Sequence, residues 1–250
     1  MKIAVCIKRV ADMESRFKIA AGATSIDEAG IKFDMSDFDG YALEVALQLI
    51  EKAGSGEVVA ISLGPDTVQE TLRKALSIGA SRAIHLKTDK VPFDGFAIAR
   101  ALAAELKDGG YDLIFFGRMA LDSSNQSVGP ITAELLDLPC VTAASKLNIA
   151  EGRGKARREL EGAAELLEFP LPAVVTIDEG IARPRYPSLK GIMAAKKKPL
   201  ESKSAVLGPE RVKVKKMELP PERTGGRIVG EGAAAVPELV RLLQTEAKVL

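Results

Sequence analysis

Between Gly117 and Pro130 the chain reads Gly-Arg-Met-Ala-Leu-Asp-Ser-Ser-Asn-Gln-Ser-Val-Gly-Pro. Small polar residues run from Ser123 to Ser127, behind an apolar strand pattern at Leu113–Phe116 and ahead of a helical pattern at Ile131–Leu136. A helix start offers N–H groups with no intrahelical partner, and short hydroxyl and amide side chains add donors beside them. That chemistry suits an anion, most naturally a phosphate. The alternative is an ordinary N-cap cluster with Pro130 in the first turn. A cap needs one such residue, and here there are five in a row.

Other chemistries find less support. The only histidine, His85, falls inside a strand pattern and reads as structural. Asp12, Asp37, Asp39 and Asp122 are acid/base candidates by type, but surface or capping roles account for them. No Cys/His spacing suits zinc or an iron–sulfur cluster. G-x-G-x-x-G after the first strand, G-x-x-x-x-G-K-[ST] and G-x-S-x-G are all absent. The residues point to binding and carrying rather than to side-chain catalysis.

The elements that must position these residues alternate. Lys2–Ile7, Glu57–Leu63, Arg82–Leu86, Leu113–Phe116 and Ala173–Ile177 are strand patterns; Tyr41–Ala53, Gln69–Ile78 and Phe93–Leu106 are helical. This order predicts an α/β fold: three αβα layers around a mostly parallel, doubly wound, Rossmann-like sheet of the adenine-nucleotide-binding kind. Short pieces at Ser145–Ile149, Arg157–Leu160 and Glu165–Phe169 predict a small antiparallel extension around 141–170. Ligands of such sheets bind beyond the carboxyl ends of the strands. Cys6-Ile-Lys-Arg9, Leu63-Gly-Pro65 and Gly117-Arg118 lie at those ends and outline one crevice with the Ser123–Ser127 turn.

Composition bounds the rest. The 250 residues suit one large domain, or one with an appendage, and 46% hydrophobic content is enough for a full core. The expected division is 1–180 for the nucleotide-binding domain and 181–250 for a recognition segment and C-terminal arm. Residues 178–235 are rich in Pro, Lys and Arg with few apolar periods, which reads as an arm packing on another subunit. A short helix is expected at Pro237–Lys248. A net charge of +1 gives no pull toward nucleic acid. No apolar run is long enough for a membrane span, and Met1–Ile7 is strand-like rather than a signal peptide. Cys6 and Cys140 sit in apolar contexts, read as small buried hydrophobes, and make no disulfide framework. A cytoplasmic protein is expected. Lys196-Lys-Lys198, following Ile192-Met193, is either a solvated charge run or a docking segment with apolar anchors and steering lysines.

Several segments together resemble one family. They are Val5-Cys-Ile-Lys-Arg-Val10 with Asp12, Gly64-Pro65 with Gln69-Glu-Thr-Leu-Arg73, and Ala156–Thr176 ending in Pro172-Ala-Val-Val-Thr176. Pro184-Arg-Tyr186, Leu189, Ile192-Met193 and Pro220-Pro221 with Arg223-Thr-Gly-Gly226 complete the set. Over nearly its full length the chain resembles the β subunit of an electron transfer flavoprotein. The resemblance implies a heterodimer with a larger α subunit that carries most of the FAD. It implies electron transfer from acyl-CoA dehydrogenases to a quinone oxidoreductase or similar acceptor.

It also implies site residues. Cys6, Lys8, Ser36, Phe38, Leu63, Asp122, Ser123, Asn125, Gln126, Ser127 and Val128 would line the nucleotide crevice, with Phe38 toward the α-bound flavin. Leu189, with Ile192 and Met193, would be the anchor entering a dehydrogenase pocket. Ser36-Asp37 stands where the family commonly has Asn-Pro. Gly117-Arg118, Val128-Gly-Pro130 and Asp39–Glu44 are more similar to the flavin-bifurcating branch, in which a second FAD replaces AMP and takes electron pairs from NADH. AMP and a second FAD both remain open, and Arg118 would stabilise negative charge on a reduced flavin. An alternative from another class is a homodimeric nucleotide sensor of the universal-stress type.

Overall fold

A computed structural model describes residues 1–222 and 225–250. Arg223 and Thr224, part of the arm motif, lie outside the described residues. The chain forms two compact units, Met1–Lys216 and Met217–Leu250.

The first unit is built on a nine-stranded sheet. Its parallel centre comprises β1 (Lys2–Cys6), β4 (Glu57–Gly64), β5 (Arg82–Lys87), β6 (Leu113–Gly117) and β10 (Ala173–Ile177). Ile3, Ala4, Val59–Ile61, Leu113–Phe115 and Ala173–Val175 are almost wholly buried, as expected for strands covered on both faces. The antiparallel extension is β7 (Cys140–Ala150), β8 (Arg153–Leu160) and β9 (Ala163–Pro170). With β11 (Leu200–Ser204) at the other edge, the order is β11-β5-β4-β1-β6-β10-β7-β8-β9. The predicted three-layer α/β architecture is the one observed.

Alternate residues along each central strand face opposite cores. On one face, Ile3, Val5, Val58, Leu113 and Phe115 pack with α1 (Asp37–Ala53) and α2 (Val68–Ile78). On the other, Ala4, Cys6, Ile61, Ile114 and Phe116 pack with α3 (Gly95–Leu106) and α4 (Val128–Leu136). The chain therefore winds to one side of β1 through α1 and α2, and crosses back through α3 to β6. In parallel α/β sheets a reversal of this kind marks the carboxyl end of the strand, here β1, as the place where ligands bind. A short hairpin, β2 (Arg9–Ala11) with β3 (Phe33–Met35), stands beyond the end of β1, where the guanidinium of Arg9 stacks 3.7 Å from the Phe33 ring centroid.

Residues 181–216 cluster with the first unit. β11 adds to β5 in parallel, although its side chains show no apolar alternation; an edge strand needs backbone pairing more than a buried face. α5 (Leu189–Ala195) packs on α2. The second unit holds a 3₁₀ turn at Ala233–Ala235, α6 (Val236–Leu242) and one π-helical turn, Leu243–Ala247, with Arg227 paired to Glu246 at 3.1 Å.

Candidate functional site

The ends of β1, β4 and β6 are tied to one another before any ligand is considered. The Ile7 N–H donates to Ile61 O at 2.7 Å, and the buried Ser62 hydroxyl donates to Ile7 O at 2.6 Å. Asp39, in the first turn of α1, is buried and accepts two backbone N–H groups at once. Its Oδ2 takes the Lys8 N–H at 2.8 Å and its Oδ1 the Gly117 N–H at 3.0 Å. Burial pushes the Asp39 carboxyl up to about 7, against the pull of those two N–H groups and of Lys8. Ser36, fully buried at the N-cap position of α1, gives no side-chain cap. Its N–H donates to Lys8 O at 3.0 Å and its hydroxyl reaches Met119 O at 3.5 Å. The start of α1 is thus locked to the ends of both β1 and β6.

The loop after β6 carries the polar run. Lys8 Nζ meets both carboxylate oxygens of Asp122 at 2.7 Å, closing that loop over β1. Arg118 reaches Gln126 Oε1 at 3.4 Å and Asp178 Oδ2 at 3.0 Å. Ser124 and Gln126 hold left-handed backbone, φ +50° and +52°, an unfavourable conformation for residues with a Cβ. Ser127 occupies the N-cap position of α4 but makes no side-chain cap bond, so its hydroxyl is not spent on the helix. A cavity of about 270 Å³ lies beside Arg118, lined by Gln126, Thr142, Ala143, Arg158 and Thr176 among others. Arg158 is held there by Thr142 Oγ1 at 2.6 Å and by Glu165.

Of the expected site residues, Lys8, Ser36, Asp122, Arg118 and Gln126 are joined to this network by the contacts above. Cys6 and Leu63 lie at neighbouring strand ends, buried in one apolar cluster. Burial drives the Cys6 thiol far above its usual range, so it stays a neutral hydrophobe. Phe38 is buried edge-on to Tyr41, with centroids 6.4 Å apart. Ser123, Asn125, Ser127 and Val128 lie along the loop and helix start, partly or fully exposed. Two readings need correction. Asp39 is neither a surface nor a capping carboxylate; the N–H groups of two adjacent strands claim it. Cys140 is exposed at the first position of β7 and is not a buried hydrophobe.

Asp178, Thr142 and Arg158 were not singled out from sequence. Asp178 carried a weak signal, since it directly follows the buried run Ala173–Ile177 and so stands at a strand's carboxyl end. His85 is fully buried with Nε2 2.8 Å from Gly64 O and Nδ1 3.1 Å from the Ser202 hydroxyl, a tie between β4, β5 and β11 in keeping with a structural role. Among the described residues no cluster of His, Cys, Asp or Glu could hold a metal ion, and no helix is long and apolar enough to cross a membrane.

A second surface forms on α5. Leu189 is 85% exposed and Met193 72%, with Ile192 beside them. The helix that presents them is held firmly. Arg73 donates to Ala195 O at 2.7 Å and Lys198 O at 2.9 Å. Lys198 Nζ donates to Leu76 O and Ala80 O, capping the end of α2. Gly191 lies against Ser77 O so closely that a Cβ there would collide with it. Of the three lysines expected to steer a partner, Lys198 is therefore turned inward, and Lys196 and Lys197 alone remain exposed.

Comparison with known proteins follows the same lines. The family model described as "Electron transfer flavoprotein domain" matches residues 23–207. The "Electron transfer flavoprotein subunit beta" of Bacillus subtilis is 39% identical, with all of both chains covered. The human protein of that name is 36% identical over 90% of this chain and 91% of its own. The mitochondrial one of Arabidopsis thaliana is 35% identical over the whole of both.

Proposed function

Because this chain belongs to the electron transfer flavoprotein β-subunit family, we propose that it pairs with an α subunit in an FAD-containing heterodimer that carries electrons from acyl-CoA dehydrogenases to a quinone oxidoreductase or similar acceptor. Its crevice holds a structural nucleotide, and α5 meets the dehydrogenase. The observation that carries this reading is the donor set of the crevice. Lys8, Arg118, the Ser123–Ser127 side chains and an uncapped helix start supply cations, hydroxyls, amides and N–H groups, the partners of a phosphorylated ligand. These residues fit AMP, and they fit the pyrophosphate and sugar of FAD as well. A flavin supplies the electron chemistry when bound. The chain's own residues bind it, orient it and shape the surface on which the α subunit moves.

One observation favours the second flavin over AMP. The cavity beside Arg118 extends the crevice toward β7 and β8, and a mononucleotide phosphate has no need of that space. A polar ring seated there would meet Arg118, Gln126 and Thr176, and Arg118 would balance negative charge on it. In that case the complex is of the bifurcating, NADH-oxidising kind.

Denaturing the heterodimer and quantifying the released nucleotides separates the readings. One FAD with one AMP per heterodimer is the simple carrier. Two FAD with little AMP is the bifurcating type. Neither ligand in stoichiometric amount would overturn the crevice assignment, and a stable homodimer of the chain alone would favour the universal-stress type.

The α5 surface has its own test. Leu189→Ala is expected to slow electron transfer from the dehydrogenase while leaving flavin content and melting temperature unchanged, because a side chain this exposed contributes little to folding. Loss of flavin in that variant would count against a pure docking role.

A further inference from the structure

Asp39 is a buried carboxyl that the proposed function does not use. It belongs to α1 yet binds neither its own helix nor a side-chain cation. One oxygen takes the N–H of Lys8, the other that of Gly117, across 31 and 78 residues of chain. Lys8 is itself a crevice cation, and Gly117 directly precedes the other, Arg118. One side chain therefore sets the relation of the two cation-bearing loops.

We propose that Asp39 is a positioning residue for the crevice: its ionised carboxylate holds the ends of β1 and β6 in the register a bound nucleotide requires, and its protonation lets one of them go. The proposal rests on the nucleotide-binding reading of the crevice. An ionised carboxylate can accept at both oxygens, whereas a neutral one carries an O–H that would face an N–H, donor against donor. One of the two anchors is then lost.

The charges around Asp39 are known. Lys8 pulls toward ionisation and Asp122 against it. Cys6 on β1 is a buried neutral thiol, and Arg118 is already paired with Asp178. The carboxyl is pushed up to about 7 by burial, so both forms are populated near neutrality. The sign follows. Affinity for a nucleotide rises with pH through this window, because the ionised form keeps both anchors.

The test uses the heterodimer stripped of its crevice ligand, with two probes. AMP is titrated by calorimetry into the wild type and Asp39→Asn from about pH 6 to about pH 8. Asparagine resembles the neutral carboxyl, with one acceptor and one donor. The wild type is expected to bind about five-fold more tightly than the variant at the alkaline end, the worth of one hydrogen bond, and equally at the acid end. A ratio that stays constant with pH would reduce Asp39 to a structural residue and overturn the proposal. The second probe, the methyl ester of AMP, has no phosphate proton to lose near neutrality and needs only the wild type. Its affinity should still rise about five-fold, and a flat profile would overturn the proposal even if the variant fails to assemble. Binding of neither probe at any pH would instead bring down the crevice reading itself.

Discussion

Replacing Arg185 by alanine is expected to destabilise the chain by about 3 kcal/mol at neutral pH. Arg185 grips two carboxylates of α1. It meets Glu44 through Nε at 2.8 Å and Nη2 at 2.9 Å, and Glu51 through Nη1 at 2.5 Å. The Glu44 side chain is only 4% exposed, so removing the guanidinium leaves a buried charge with Gln48 and the backbone N–H of residue 185 as its remaining donors. The figure sits at the low end for a broken buried pair because Arg185 itself is 35% exposed.

The effect carries a pH signature. Burial acts to raise the Glu44 carboxyl, but Arg185 and Gln48 outweigh it and hold the carboxyl below its ordinary value. In the wild type the pair therefore stabilises the fold above the ordinary carboxylate range and loses its contribution as pH falls through the lowered native value. In the variant, only Gln48 and the backbone N–H of residue 185 oppose burial, and a proton relieves the buried charge. The difference between wild type and variant, read from urea midpoints, should be largest near neutrality and shrink in acid. A loss below about 1 kcal/mol, or one independent of pH, would place the stabilisation elsewhere. Arg185→Lys should recover part of the loss, since an ammonium keeps the charge without the fork.

Gly117→Ala is expected to cost about 2–3 kcal/mol and to empty the crevice. A Cβ at this position would stand 2.5 Å from Asp39 Oδ1 and 2.7 Å from the backbone carbon of Phe38. These are parts of the first turn of α1, which is itself anchored through Ser36 and cannot simply move aside. Relief requires either a shift of the helix start or release of the Gly117 N–H from Asp39. Both disturb the relation between Lys8 and Arg118. Bound nucleotide per heterodimer should fall together with the melting temperature. Retention of full nucleotide content in a destabilised variant would show that the ligand tolerates the displaced helix.

The two variants also mark where sequence reading stopped. Arg185 falls within a family motif, but its structural task is not legible there, because its partners lie 141 and 134 residues away in the chain. Gly117 was grouped with Arg118, but the need for a glycine arises only when α1 comes down on the end of β6. Asp39 reads from its sequence context as a surface or capping carboxylate, but the fold turns it to the N–H groups of Lys8 and Gly117. The polar run from Ser123 was legible as a helix start beside a strand end. That Ser124 and Gln126 adopt left-handed backbone was not, since neither residue type demands it.

By itself the sequence determined the alternation of strands and helices, the burial of the central strands on both faces and the antiparallel extension. These follow from local apolar periodicity. Leu189 and Met193, which the family resemblance singles out, are exposed on α5. Only the tertiary structure decided the placement of Leu200–Ser204 at the sheet edge, the inward turn of Lys198, the pairing of Arg118 with Asp178 and the two hydrogen bonds that Asp39 accepts. The physical reason is common to all four. Apolar burial is written in the residue types of a single segment, but a polar group's partner is whichever donor or acceptor the finished fold brings within about 3 Å.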